Sequence, residues 1–103
     1  VTGAGLPEGC LDRVIEVLRS EPSVEGAVLF GSRAKGSFRE GSDIDIAILG
    51  TGVTPAVRLS LLTRYDALYL PWKLDLVIYD SIAEPALKAH IDRVGVRLWG
   101  EAE

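Results

Sequence analysis

The feature that most constrains this chain is Gly31-Ser32, followed after ten residues by Asp43-Ile44-Asp45, with apolar runs at 24–30 and 44–49 on either side. Short apolar runs bounded by turn residues read as buried strands. In the second run Asp43, Asp45 and Ala47 alternate with Ile44, Ile46 and Ile48, so the carboxylates share one face and the isoleucines the other. Cα atoms two residues apart on a strand are about 6.6 Å apart, so the two acidic side chains can lean together around hard cations. The chemistry that needs such a pair is metal-assisted attack on a phosphate, with ions about 3.5–4 Å apart. The Gly-Ser turn upstream offers backbone N–H groups and a hydroxyl to an anion.

The rest of the chain supplies a scaffold for this hairpin. Leu11, Val14, Ile15 and Leu18 fall on one helical face, which predicts a helix over 8–20 that Pro22 stops. Residues 1–7 are small and Gly-rich and are expected to be loose. The polar segment 31–41 is expected to open with a short helical turn at Ser32. After a loop at 50–54, residues 55–70 read as a helix with Pro55 in its first turn, and 72–79 as a third strand. Asp80-Ser81 is expected to cap a last helix running to about Val94, because Ser81-Ile82-Ala83-Glu84 fits a capping box. Gly95 then ends that helix and 96–99 form a short apolar tail. This order implies an α/β domain: a mixed sheet of at least three strands with helices packed on it. The segment between the first two strands is too short for a crossover helix, so those strands should be antiparallel.

Length and charge narrow the function classes. With 103 residues, 48% of them hydrophobic, the chain is expected to be a single domain over 1–103. No apolar run is long enough to span a membrane, and no signal-peptide pattern opens the sequence. The lone Cys10 excludes an internal disulfide and favours a reducing, cytoplasmic setting; its own place is at a helix start. A net charge of −4 argues against an extended nucleic-acid surface. Arg33, Lys35 and Arg39 nevertheless cluster between the serine and the aspartates, where a polyphosphate would lie.

Asp75 stands in the third strand between Leu74 and Leu76, on one face with Val77 and Tyr79. A buried carboxylate must be paired, protonated or on a metal. If its strand lies beside the second, Asp75 joins Asp43 and Asp45, and three such charges need a cation; otherwise it is a strand-end partner of Lys73 or an arginine. Arg33 and Lys35 are spaced to reach β- and γ-phosphates, or are simply solvated loop charges. Gly31 and Gly36 suggest a P-loop, but Ser37-Phe38 stand where Lys and Ser/Thr are required, so that reading fails. His90 has no second His or Cys for zinc and reads as a surface or capping residue. Tyr65, Tyr69, Trp72 and Trp99 are core, interface or base-stacking residues; the sequence leaves these open.

Gly31-Ser32-x10-Asp43-x-Asp45, with Leu74-Asp75-Leu76 downstream, resembles the nucleotidyltransferase superfamily of polymerase beta. Element order, length and the closing stretch from Asp92 to Trp99 resemble its minimal nucleotidyltransferase (MNT) branch, antitoxins paired with HEPN toxins. The resemblance implies that Asp43, Asp45 and Asp75 ligate two Mg²⁺ ions, for which Mn²⁺ can substitute, and that Asp75 sits nearest the acceptor hydroxyl. It implies that Gly31 and Ser32 hold the triphosphate, with Arg33, Lys35 and Ser42 as further nucleotide-binding candidates. The implied reaction moves AMP from ATP to a hydroxyl, a tyrosine of a HEPN toxin, with the acceptor supplied by the partner because the chain is short. Two alternatives stand beside it: an antitoxin acting by contact alone, and an aminoglycoside-type nucleotidyltransferase. Homo-oligomerisation is left open.

Overall fold

A computed structural model describes residues 5–39 and 41–100. Among the described residues four helices and four strands follow one another: α1 (Cys10–Arg19), β1 (Gly26–Phe30), α2 (Gly31–Lys35), β2 (Ile44–Leu49), α3 (Pro55–Asp66), β3 (Leu74–Ile78), α4 (Pro85–Val94) and β4 (Val96–Trp99), with a 3₁₀ turn at Tyr79–Ser81. They build one mixed sheet in the order β3-β2-β1-β4. β1 and β2 are antiparallel, as their short connection requires, whereas β2 and β3 are parallel and joined through α3.

The alternation along β2 divides the molecule into two layers. Ile44, Ile46 and Ile48 are fully buried on one face, against Leu11, Val14 and Leu18 of α1 and Leu61 and Tyr65 of α3. Each such side chain contributes about 1.5–3 kcal/mol on burial, so this face carries most of the fold's stability. Leu6 belongs to the same cluster; residues 1–4, part of the segment expected to be loose, lie outside the described residues. The opposite face is thinner. Phe30 and Ala47 meet Ile91 of α4, with Val28, Val77 and Leu87 at the margin. Asp45 and Asp75 alternate onto this second face, beside Ala47 and Val77.

Three local expectations are corrected. The last helix does not start from a Ser81 capping box. Pro85 occupies its first turn, and a residue before proline is driven to extended backbone, so Glu84 (φ −84°, ψ 112°) becomes the cap. The Glu84 side chain accepts from the Ala86 N–H at 3.0 Å. Residues 96–99 are not a tail but β4, antiparallel to β1 with an irregularity at Ala27/Val28. α3 also stops at Asp66, short of the expected residue 70.

Candidate active site

The site is organised by the junction of β1 and α2. Phe30 ends β1 in extended conformation (φ −137°, ψ −170°), and Gly31 then turns left-handed at φ 74°. Only glycine takes that conformation without penalty. Space demands it as well: a Cβ built on Gly31 would fall inside the carboxylate of Asp45. α2 carries Ser32, Arg33 and Lys35 and ends at Gly36, again left-handed (φ 83°).

Pairing brings the carboxylates together. Asp45 faces Phe30 across the β1–β2 ladder and Asp75 across the β2–β3 ladder. Adjacent strands lie about 4.8 Å apart, and residues level in a parallel pair project to the same side. Asp43 sits just before β2, exposed at the same end of the sheet. Burial, then the charges of Asp75 and Asp43, push the Asp45 carboxyl up from 3.8 to about 6. Among the described residues no three acidic, His or Cys side chains already form a closed cation cage. The donor chemistry still fits a hard divalent ion: the candidate ligands are all oxygens, and the acidic neighbours that raise Asp45 are charges a cation would offset.

Arg33 is buried, 3% exposed, unlike a solvated loop charge. Its Nε and Nη2 donate to the carbonyl of Ser42 at 3.1 and 3.0 Å, and its guanidinium lies 5.2 Å from the Phe38 ring centre. Lys35 is exposed at the end of α2, while Ser32 and Ser42 are half-buried. The Ser42 hydroxyl accepts from the Arg39 N–H at 2.7 Å. His90 leans from α4 onto Phe30, edge to face at 6.1 Å, so it stands one residue from Gly31. No sequence pattern signals that approach, because helical periodicity does not say what a neighbouring strand end presents. The aromatic residues separate: Tyr65 is core and donates to the Trp72 carbonyl at 2.6 Å, Trp99 lies under Arg19, and Tyr69 is 91% exposed. A cavity of about 500 Å³, lined by Glu25, Leu49, Asp80 and Arg97 among others, lies at the other end of the strands and includes none of these site residues.

The glycine turn thus lies against a carboxylate pair at the loop end of the β1–β2 hairpin. The sequence family described as polymerase beta, nucleotidyltransferase, matches residues 12–103. The chain belongs to that nucleotidyltransferase family. No curated protein sequence matches it, but solved structures do. This nucleotidyltransferase domain aligns to a toxin–antitoxin crystal structure with AMP-PNP at a TM-score of 0.73 and 30% identity, over 87% of this chain and 73% of that one. It aligns to a structure of a tri-AMPylated Shewanella oneidensis HEPN toxin in complex with MNT antitoxin at a TM-score of 0.65 and 30% identity, over 87% and 69%. An MntA–HepT toxin–antitoxin structure gives a TM-score of 0.64 and 30% identity, over 87% and 69%. The nucleotidyltransferase domain thus has MNT–HEPN complexes among its structural neighbours, as its sequence resemblance implied. Among the described residues it has no helix long and apolar enough to cross a membrane.

Proposed function

We propose that the domain transfers AMP from ATP to a hydroxyl of a partner HEPN-type toxin, a tyrosine, and acts as its antitoxin. The observation that carries this reading is the placement of Gly31 against Asp45 with Asp75 level on the next strand. It is supported by the neighbours solved with AMP-PNP and with an AMPylated toxin.

In this reading the triphosphate lies on the turn at Gly31 and Ser32, with Lys35 and Ser42 alongside. Asp43, Asp45 and Asp75 hold two Mg²⁺ ions, or Mn²⁺ in their place. When bound, the ions neutralise charge on the phosphates and favour ionisation of the acceptor hydroxyl. The chain's own part is orientation: the α-phosphorus is held in line between the acceptor oxygen and the departing pyrophosphate. The acceptor oxygen forms a bond to the α-phosphorus, the bond to the bridging oxygen breaks, and pyrophosphate leaves. Asp75 lies nearest the acceptor and takes its proton.

Intact-mass spectrometry of the toxin after incubation with this chain, ATP and Mg²⁺ tests the reading. A gain of one adenylyl unit per event is expected. A gain of one phosphoryl group would mean a different bond is broken, and an unmodified but inhibited toxin would mean inhibition by contact alone.

A further inference from the structure

We infer that Arg33 is a positioning residue: its buried guanidinium, held on the carbonyl of Ser42, sets the backbone from which Asp43 is presented to a divalent cation. The inference rests on the reading of Asp43 as a cation ligand. The carbonyl of Ser42 and the N–H of Asp43 share one rigid peptide plane. Two nitrogens of one planar fork converge on that oxygen at 3.1 and 3.0 Å, which fixes the orientation of the plane. The next peptide plane is fixed from the other side, because the Ile44 N–H donates to the Lys73 carbonyl at 2.9 Å. Asp43 is exposed and precedes the first residue of β2. Its backbone is therefore suspended between two anchored planes.

The approach to Ser42 is closed too. The Ser42 N–H donates to the Arg39 carbonyl at 3.0 Å, and the Ser42 hydroxyl accepts from the Arg39 N–H at 2.7 Å. The Phe38 ring backs the guanidinium. Burying an arginine is costly unless its donors are used, and two of them here meet the backbone carbonyl that precedes an acidic residue. Because Arg33 stands on α2, two residues after Gly31, the same side chain ties the glycine turn to the aspartate strand.

Arg33→Lys keeps the charge but loses the fork. Three readouts decide: Mn²⁺ binding to the nucleotide-free chain by electron paramagnetic resonance, hydrogen exchange of the Ile44 amide in the metal-free chain, and steady-state transfer. We expect Mn²⁺ affinity to fall about tenfold or more, the loss typical of a residue that orients a ligand. Exchange at Ile44 should quicken and kcat should fall, while KM for ATP at saturating metal stays within about twofold. Wild-type Mn²⁺ affinity and Ile44 exchange in the variant would overturn the inference. So would a raised KM for ATP with unchanged Mn²⁺ binding, which would make Arg33 a phosphate contact. If Arg33→Lys does not fold, Phe38→Leu should move the same readouts less far in the same direction, and no movement there overturns the inference equally. A wild-type chain that binds no Mn²⁺ refutes instead the underlying reading of the aspartates.

Discussion

Gly31 rests on the carboxylate of Asp45 so closely that no side chain fits between them. The turn that would cradle phosphate and the acid that would hold metal are thus one packed unit. Moving either displaces the other.

Gly31→Ala should accordingly damage both stability and transfer. A non-glycine residue in the left-handed region costs about 1–2 kcal/mol before any collision is counted. Displacing Asp45 should lower transfer by about a hundredfold, as small misplacements at a reacting centre do. Urea unfolding and a toxin-AMPylation assay on the variant check this. A variant as stable and active as wild type would mean the contact with Asp45 does not constrain the site.

Asp43→Asn with Asp45→Asn should abolish transfer yet stabilise the metal-free chain. Asp45 is raised first by burial and then by its acidic neighbours, so removing charge relieves both the desolvation and the repulsion that the folded state bears. The expected gain is about 0.5–2 kcal/mol, read from thermal unfolding in EDTA. A lower melting temperature would show that these carboxylates instead make stabilising hydrogen bonds.

Stability of the metal-free chain should carry a pH signature from Asp45. Its carboxyl titrates at about 6 when folded, against 3.8 for the unperturbed group. Between those values the folded state binds more protons than the unfolded one, so this group's contribution to stability is lost as pH rises through the window. The carboxyl is partly exposed and screened by solvent, so the loss should be about 1–2 kcal/mol rather than the full linkage value. Denaturant unfolding in EDTA across that window, for wild type against Asp45→Asn, isolates it. The stability difference between the two chains should change in favour of the variant as pH rises; a constant difference would rule the effect out.

The cap of α4 can be tested separately. Glu84→Ala should cost about 0.5–1 kcal/mol, the range for a lost N-cap, whereas Ser81→Ala should lie within about 0.5 kcal/mol of wild type. The reverse order would restore the capping box at Ser81.

Much of this was legible in the sequence because strand alternation and connection length are local signals. The Asp43, Asp45, Ala47 against Ile44, Ile46, Ile48 pattern foretold both faces of β2. The short link from β1 foretold an antiparallel pair. Asp75 could be placed beside Asp45 only conditionally, since strand neighbours are set by the whole sheet. β4 is not legible as a strand because four residues are too few to show a period, and its identity as a strand depends on β1 offering an edge. The capping pattern at Ser81 was outweighed by Pro85. Arg33 could not be told from a solvated charge, because nothing in a run of polar residues reveals which of them folds back onto its own loop.

The strand order also says when this site comes into being. Gly31 and Asp45 meet across a hairpin, after closing a short loop, whereas Asp75 joins only once all of α3 has been laid across the sheet. Closing the longer loop costs more chain entropy, so contacts of low sequence separation are favoured to form first. In a chain emerging from synthesis the glycine turn and the pair Asp43 and Asp45 can therefore assemble before Asp75 arrives. If the three carboxylates act together as proposed, competence for transfer waits for the crossover through α3.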